Sequence, residues 1–234
     1  MCRWLAYTGS PILLTDVLYT PAHSLIDQSL HSKLGAETTN GDGFGIGWYD
    51  AAPVPGVFHS IEPAWNDANL RELAGHVSSP LFFAHIRAAI GSAVQQTNCH
   101  PFRHGRWLFM HNGFIDGFAA IKRDLVLAVD ESLFPEIKGQ ADTEVLFYLA
   151  LGFGLADDRP EAVARAIGFV EACGQASAGR PVPVPGHHRD DRRGEPMGVP
   201  LLHRGQVAVA VLQSRHPRGK AAGSGPGDLA RGVR

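Results

Sequence analysis

The 234-residue sequence predicts an α+β layered domain followed by a tail of different character, and three observations carry that reading. Strand-like segments open and close the core while helical segments gather in batches, so the order is not the alternation of βαβ units. Hydrophobic residues make up 44% and charged residues 19%, the balance of a soluble globular chain long enough to bury a sizeable core. Every Phe, Trp and Tyr lies before residue 170, which sets a domain at 2–174 apart from a tail at 175–234.

CRWLAY (2–7) reads as a short strand followed by a Pro-containing turn. HSLIDQSLHS (23–32) places Leu25, Ile26 and Leu30 at helical spacing. GDGFGIGWYD (41–50) alternates glycine with bulky apolar residues, the pattern of a strand that another backbone approaches closely, and VFHSI (57–61) suits its hairpin partner. DANLRELAGHV (67–77) opens on a good N-cap and keeps Leu70, Leu73, Ala74 and Val77 on one helical face. PLFFAHIRAA (80–89) and RWLFMHNG (106–113) read as buried strands separated by a polar loop. Residues 118–129 look helical. Asp142 then opens a strong helix as its N-cap, with Glu144 in the first turn, and PEAVARAIGFVEAC (160–173) is a helix with Pro at its first position.

The net charge of −2 gives no electrostatic reason to expect a nucleic-acid or membrane partner. The N-terminus has no basic segment followed by an apolar one, and the longest apolar run, at 145–156, is too short to span a bilayer. Three cysteines, odd in number and without a CxxC, suit a reducing cytoplasm and leave at least one free thiol. The tail carries ten Gly, seven Pro, nine Arg and one Lys against four acidic residues, a charge of +6. A stretch of that composition without aromatics does not readily offset its own ordering entropy. Two origins stand side by side: a disordered basic tail, or the product of a shifted reading frame in a GC-rich gene. Within it only QVAVAVLQ (206–213) has the makings of a strand.

Four segments carry chemistry: MCRW at the start, FAHIRAAIG (83–91), NCHPFRHGRWLFMHNGFIDG (98–117) and QADTEV (140–145). Taken singly each has a bland explanation. HNG suits a turn, Asp142 caps its helix, and Cys2 fits a half-buried strand position. Arg87 is less bland, because an arginine in an apolar strand needs an anionic partner or a strand end in water. Cys2 also follows an initiator methionine that its small side chain allows to be trimmed, which would leave a thiol beside a free α-amine.

Together these segments resemble the class II glutamine amidotransferases, the N-terminal-nucleophile hydrolases of glucosamine phosphate, purine and asparagine biosynthesis. The ordered set Met-Cys, His-x-Arg, His-Pro, His-Asn-Gly and Asp-Thr-Glu carries the resemblance over about residues 2–155. MCRW and DGFGIGW look like the small stand-alone branch, which includes hydrolases of γ-glutamyl compounds in ergothioneine biosynthesis or glutathione breakdown. The resemblance implies a four-layer α/β/β/α sandwich of antiparallel sheets and an enzyme that needs no cofactor. It implies Cys2 as the nucleophile forming a γ-glutamyl thioester, and Asn112 with Gly113 as the oxyanion hole. Arg87 would hold the substrate's α-carboxylate, and Asp142 its α-ammonium. It also implies a small-molecule γ-glutamyl substrate and, in one alternative, a separate ammonia-accepting synthetase as partner. A further alternative is a catalytically inactive γ-glutamyl-binding protein. The family completes its sheets with strands after the Asp-Thr-Glu helices, so the tail, with at most one strand, would leave the sandwich incomplete at its C-terminus.

His85, His100, His104 and His111 with Cys99 raise a rival idea, a metal site, His104 lying four residues after His100. His-Pro is already accounted for by the family pattern, so no metal is expected. GDGFGIG lacks the Gly-Lys-Ser/Thr ending of a phosphate-binding loop, and a close-packed strand explains it better. Trp48, Trp65 and Phe102 are candidates for shaping the leaving-group side.

Overall fold

A computed structural model describes residues 2–31, 39–89, 92–178 and 208–213. Among the described residues two antiparallel sheets face each other. In the first, β1 (Arg3–Leu13), β4 (Ser78–Ile86), β2 (Phe44–Tyr49) and β3 (Gly56–Ser60) lie side by side in that order. In the second, β6 (Trp107–Asn112) runs between β5 (Phe102–His104) and β7 (Ala208–Gln213).

The two-residue period of each strand sorts its side chains into layers. On β4, Phe82, Ala84 and Ile86 pack outward with Phe44 and Ile46 of β2. They meet Leu18 of α1 (Thr15–Leu18), Leu25 and Ile26 of α2 (Leu25–Leu30), and Leu70 and Ala74 of α3 (Ala68–His76). Phe83 and Tyr49 turn the other way and join Leu108 and Met110 of β6 to fill the space between the sheets. Trp107 and Phe109 of β6 point to the far side, into a core formed with α4 (Phe118–Leu127), α5 (Asp142–Gly152) and α6 (Arg159–Ala178). There Phe109 stacks on Phe147 with centroids 5.0 Å apart. The result is the four-layer α/β/β/α sandwich. Phe82, Phe83 and Phe109 are fully buried, each contributing about 1.5–3 kcal/mol.

The glycines of β2 make the sheet-to-sheet approach feasible. Gly45 and Gly47 alternate with Phe44 and Ile46, and so face the second sheet. A Cβ on Gly45 would collide with the His100 carbonyl, and one on Gly47 would sit 2.8 Å from Leu108 and Pro101. The close backbone approach expected of this strand is therefore present, and β3 pairs with it as a hairpin.

Several elements differ from expectation. β1 does not stop at a Pro turn but runs through Pro11 to Leu13, with a register shift between Thr8 and Ile12. It lies at the sheet's edge, where a missing N–H is tolerated. The polar loop after β4 contains β5, a three-residue strand turned back to β6 by Gly105 at φ 52°. α6 begins one residue before Pro160, and Asp158 Oδ1 accepts from Glu161 N–H at 3.1 Å. The strand expected within 206–213 is β7, paired with β6. The rest of the 175–234 tail beyond α6, and with it the question of missing strands, lies outside the described residues. No described helix is long and apolar enough to cross a membrane.

Candidate active site

Cys2 immediately precedes β1, whose register sets Arg3 opposite Ile86 at the end of β4. The chain leaving β4 therefore passes beside Cys2. The Ala88 N–H donates to Cys2 Sγ at 3.3 Å, and Sγ lies 3.5 Å from the Ala88 carbonyl. Burial raises the thiol's pKa above its ordinary value, while the Ala88 N–H and the nearby Arg87 guanidinium pull it back.

Arg87 sits one residue past β4 and is 4% exposed. Its backbone N–H donates to Gly43 O at 2.8 Å. The Ala89 N–H donates to Asp42 Oδ2 at 2.7 Å, so the Gly-rich segment clamps residues 87–89 from below. The guanidinium reaches the loop beyond. Nη1 donates to Ala93 O at 2.9 Å, and Nη2 to Ser92 O at 3.1 Å and Ser92 Oγ at 2.6 Å. All three acceptors are neutral, and among the described residues no carboxylate forms an ion pair with this buried cation. A buried guanidinium gains from an anionic partner, since an unpaired buried charge is costly.

The other half of the site comes from the second sheet. Asn112 ends β6 half-buried, and Gly113 is exposed. The alternation that puts His111 on the helix side puts Asn112 on the face between the sheets, with Leu108 and Met110. Asp142 is not the N-cap of α5. Ala141 holds that position, and Asp142 is the first helical residue. Its Oδ1 accepts from its neighbour's Thr143 N–H at 2.7 Å, and its Oδ2 accepts from Ile115 N–H at 2.7 Å. The carboxylate thus ties the helix start to the loop that follows Asn112-Gly113. Phe114, in that loop, is half exposed.

Three buried histidines link the halves. The His85 and His100 rings pack with centroids 4.3 Å apart, and His111 Nδ1 lies 3.1 Å from Thr143 Oγ1. Burial drives His85 down to about 3, helped by His111 and Arg87, and drives His100 far below its ordinary value. These rings are neutral spacers at physiological pH. The rival metal reading finds no geometry: among the described residues no three His, Cys, Asp or Glu side chains are grouped to hold an ion. His104 instead meets the Tyr148 ring edge-on at 5.9 Å.

Of the aromatic candidates for the leaving-group side, Phe102 is buried in the helix-side core and packs against His100. Trp48 donates from Nε1 to Asp50. Trp65 borders Gly41, beside Asp42. Three contributors escaped the sequence reading: Asp42, Asn98 and the clamping role of Glu144. Glu144 Oε1 and Oε2 accept from the N–H groups of Lys138 and Gly139 at 2.9 and 2.7 Å. Asp42 stands inside the quoted DGFGIGW motif, but its partner is 47 residues away.

The family described as glutamine amidotransferases class-II has a model that matches residues 13–164, a segment that starts downstream of Cys2. The chain is 42% identical over 160 residues to the probable glutamine amidotransferase DUG3 of Saccharomyces cerevisiae, covering 64% of this chain and 45% of that protein. It is 34% identical over 118 residues to the gamma-glutamyl-hercynylcysteine sulfoxide hydrolase of Mycolicibacterium smegmatis, covering 50% of this chain and 52% of that one. The chain thus spans about half the length of the curated relatives it matches. Among solved structures, a glutamine aminotransferase class-II domain protein from Silicibacter pomeroyi superposes with a TM-score of 0.59 at 39% identity, over 76% of this chain and 66% of that one.

Proposed function

The chain belongs to the class II glutamine amidotransferases, and from that premise we propose that it is a cytoplasmic enzyme that hydrolyses γ-glutamyl amides through Cys2. The observation that carries the reading is the buried Arg87, without a carboxylate partner among the described residues, one residue from the Ala88 N–H that contacts Cys2 Sγ. The names of the two curated relatives support the chemical class, since one is a probable glutamine amidotransferase and the other a γ-glutamyl hydrolase.

With Met1 removed, the α-amine of Cys2 takes the thiol proton as Sγ adds to the γ-carbonyl carbon. Burial raises the thiol pKa, so this acceptor matters, and an α-amine titrating at about 7.7–8.0 is suited to accept and return a proton near neutrality. The oxyanion is held by the Asn112 side-chain amide and the Gly113 N–H. The C–N bond then breaks, the amine proton passes to the leaving nitrogen, and ammonia or an amine departs from a γ-glutamyl thioester. Water adds to the thioester, the C–S bond breaks, and glutamate leaves with Cys2 again a thiol. Arg87 binds the α-carboxylate with its planar fork, and Asp142 faces the α-ammonium.

The test compares hydrolysis of glutamine and of γ-glutamyl peptides by the wild type and by Arg87→Lys. Lys keeps the charge but not the two-pronged geometry, so KM is expected to rise about 10-fold or more with kcat little changed. Equal KM values for the two proteins would remove Arg87 from substrate binding. No turnover of any γ-glutamyl amide by folded wild type lacking Met1 would overturn the reading.

A further inference from the structure

We propose that Asn98 is a positioning residue that locks together the segments carrying Arg87 and Asp142, and so fixes the spacing at which the site reads the α-carboxylate and α-ammonium of its substrate. The proposal rests on the reading of Arg87 and Asp142 given above.

Asn98 is 0% exposed, and both ends of its amide are engaged. Nδ2 donates to Ala93 O at 2.9 Å, the same carbonyl that accepts from Arg87 Nη1 at 2.9 Å. Oδ1 accepts from Gln140 N–H at 2.7 Å, two residues before Asp142. One planar group therefore joins the loop that holds the guanidinium to the chain that enters α5. The segment it grips is also held by Glu144, through the N–H groups of Lys138 and Gly139. The approach is tight: a Cβ on Gly139 would lie 2.6 Å from both Asn98 Oδ1 and Thr97 O. A glycine at 139 is what admits Asn98 to this position.

The chemistry selects asparagine. One donor and one acceptor are needed on a short planar side chain. Aspartate has no donor for Ala93 O, and leucine, of similar size, would take away the acceptor of the Gln140 N–H. Asn98 has no expected contact with the reacting atoms. Its effect passes through Arg87 and Asp142, so it should appear in recognition of the α-charges rather than in the rate of bond breaking.

The test uses the full chain with Met1 removed, in the wild type, Asn98→Leu and Asn98→Asp. Steady-state kinetics are measured on glutamine and on glutaric acid monoamide, which keeps the amide and a carboxylate but lacks the α-ammonium. For Asn98→Leu the expected result is a rise in KM for glutamine of about 10-fold, kcat within about threefold, and a preference for glutamine over the monoamide smaller than that of the wild type. If Asn98→Leu fails to fold, Asn98→Asp, which keeps the acceptor for Gln140, carries the same expectation. An unchanged KM and preference would overturn the proposal. So would an equal loss of kcat on both amides, the mark of a merely structural residue. Amide hydrogen exchange at Gln140 separates this proposal from the reading beneath it. Protection in the wild type that is lost in Asn98→Leu supports the lock even if no γ-glutamyl amide is turned over, and protection retained in the variant overturns it.

Discussion

At the scale of single residues the proposed site draws on both halves of the sandwich. Cys2 and Arg87 lie at the end of the first sheet, Asn112 and Gly113 at the end of β6 in the second, and Asp142 at the start of α5, tied to the loop after β6. Because Asn112 is assigned to charge that develops only in the transition state, Asn112→Ala should lower kcat by roughly 10²–10³-fold while KM stays within a few-fold. Steady-state kinetics on glutamine check this, and a pure KM effect would move Asn112 from the oxyanion to ground-state binding. The residues expected at the site were proposed from short motifs, each local in the sequence. Asn98 and Asp42 were not, since each works through a hydrogen bond to a partner more than 40 residues away. Asp142 was misread as a cap for a related reason. An acidic residue at a helix start looks the same whether its oxygens serve the helix or, as here, also the Ile115 N–H of another loop.

At the scale of elements the two β2 glycines decide how closely the sheets approach. Gly45→Ala places a methyl against the His100 carbonyl, a backbone atom with little freedom to move, and should cost about 2–3 kcal/mol. Gly75, exposed near the end of α3, has open space around its missing Cβ, so Gly75→Ala should stabilise by about 0.5–1 kcal/mol. Urea unfolding of both variants checks the pair, and equal effects would contradict the close-packing account. Periodicity located β2, β4, β6 and helices α2 to α6 because their apolar spacing reports which face is buried, while the four-residue α1 gave no period to read. β5 has only three residues and gives no period to read. The passage of β1 through Pro11 was hidden because edge position is a property of the assembled sheet.

At the scale of the whole molecule the neutral histidines at the heart of the sandwich tie stability to pH. In the unfolded chain each titrates near 6.5, whereas in the folded one His85 is held at about 3 by burial, with His100 and His111 also lowered. Between those values the unfolded state binds more protons. The stabilising contribution is therefore complete above about pH 6.5 and is lost as pH falls, for His85 down to about 3. The urea midpoint should drop between pH 7 and pH 5, and a flat midpoint over that range would contradict neutral burial. In the proposed reaction Cys2 acts as an N-terminal nucleophile toward a γ-glutamyl carbonyl. Intact-mass spectrometry after incubation with a diazo-ketone analogue of glutamine, beside an untreated sample, tests it most directly. The expected product is a chain lacking Met1 that carries one adduct, mapping to Cys2. A folded chain without Met1 whose Cys2 stays unlabelled would contradict it.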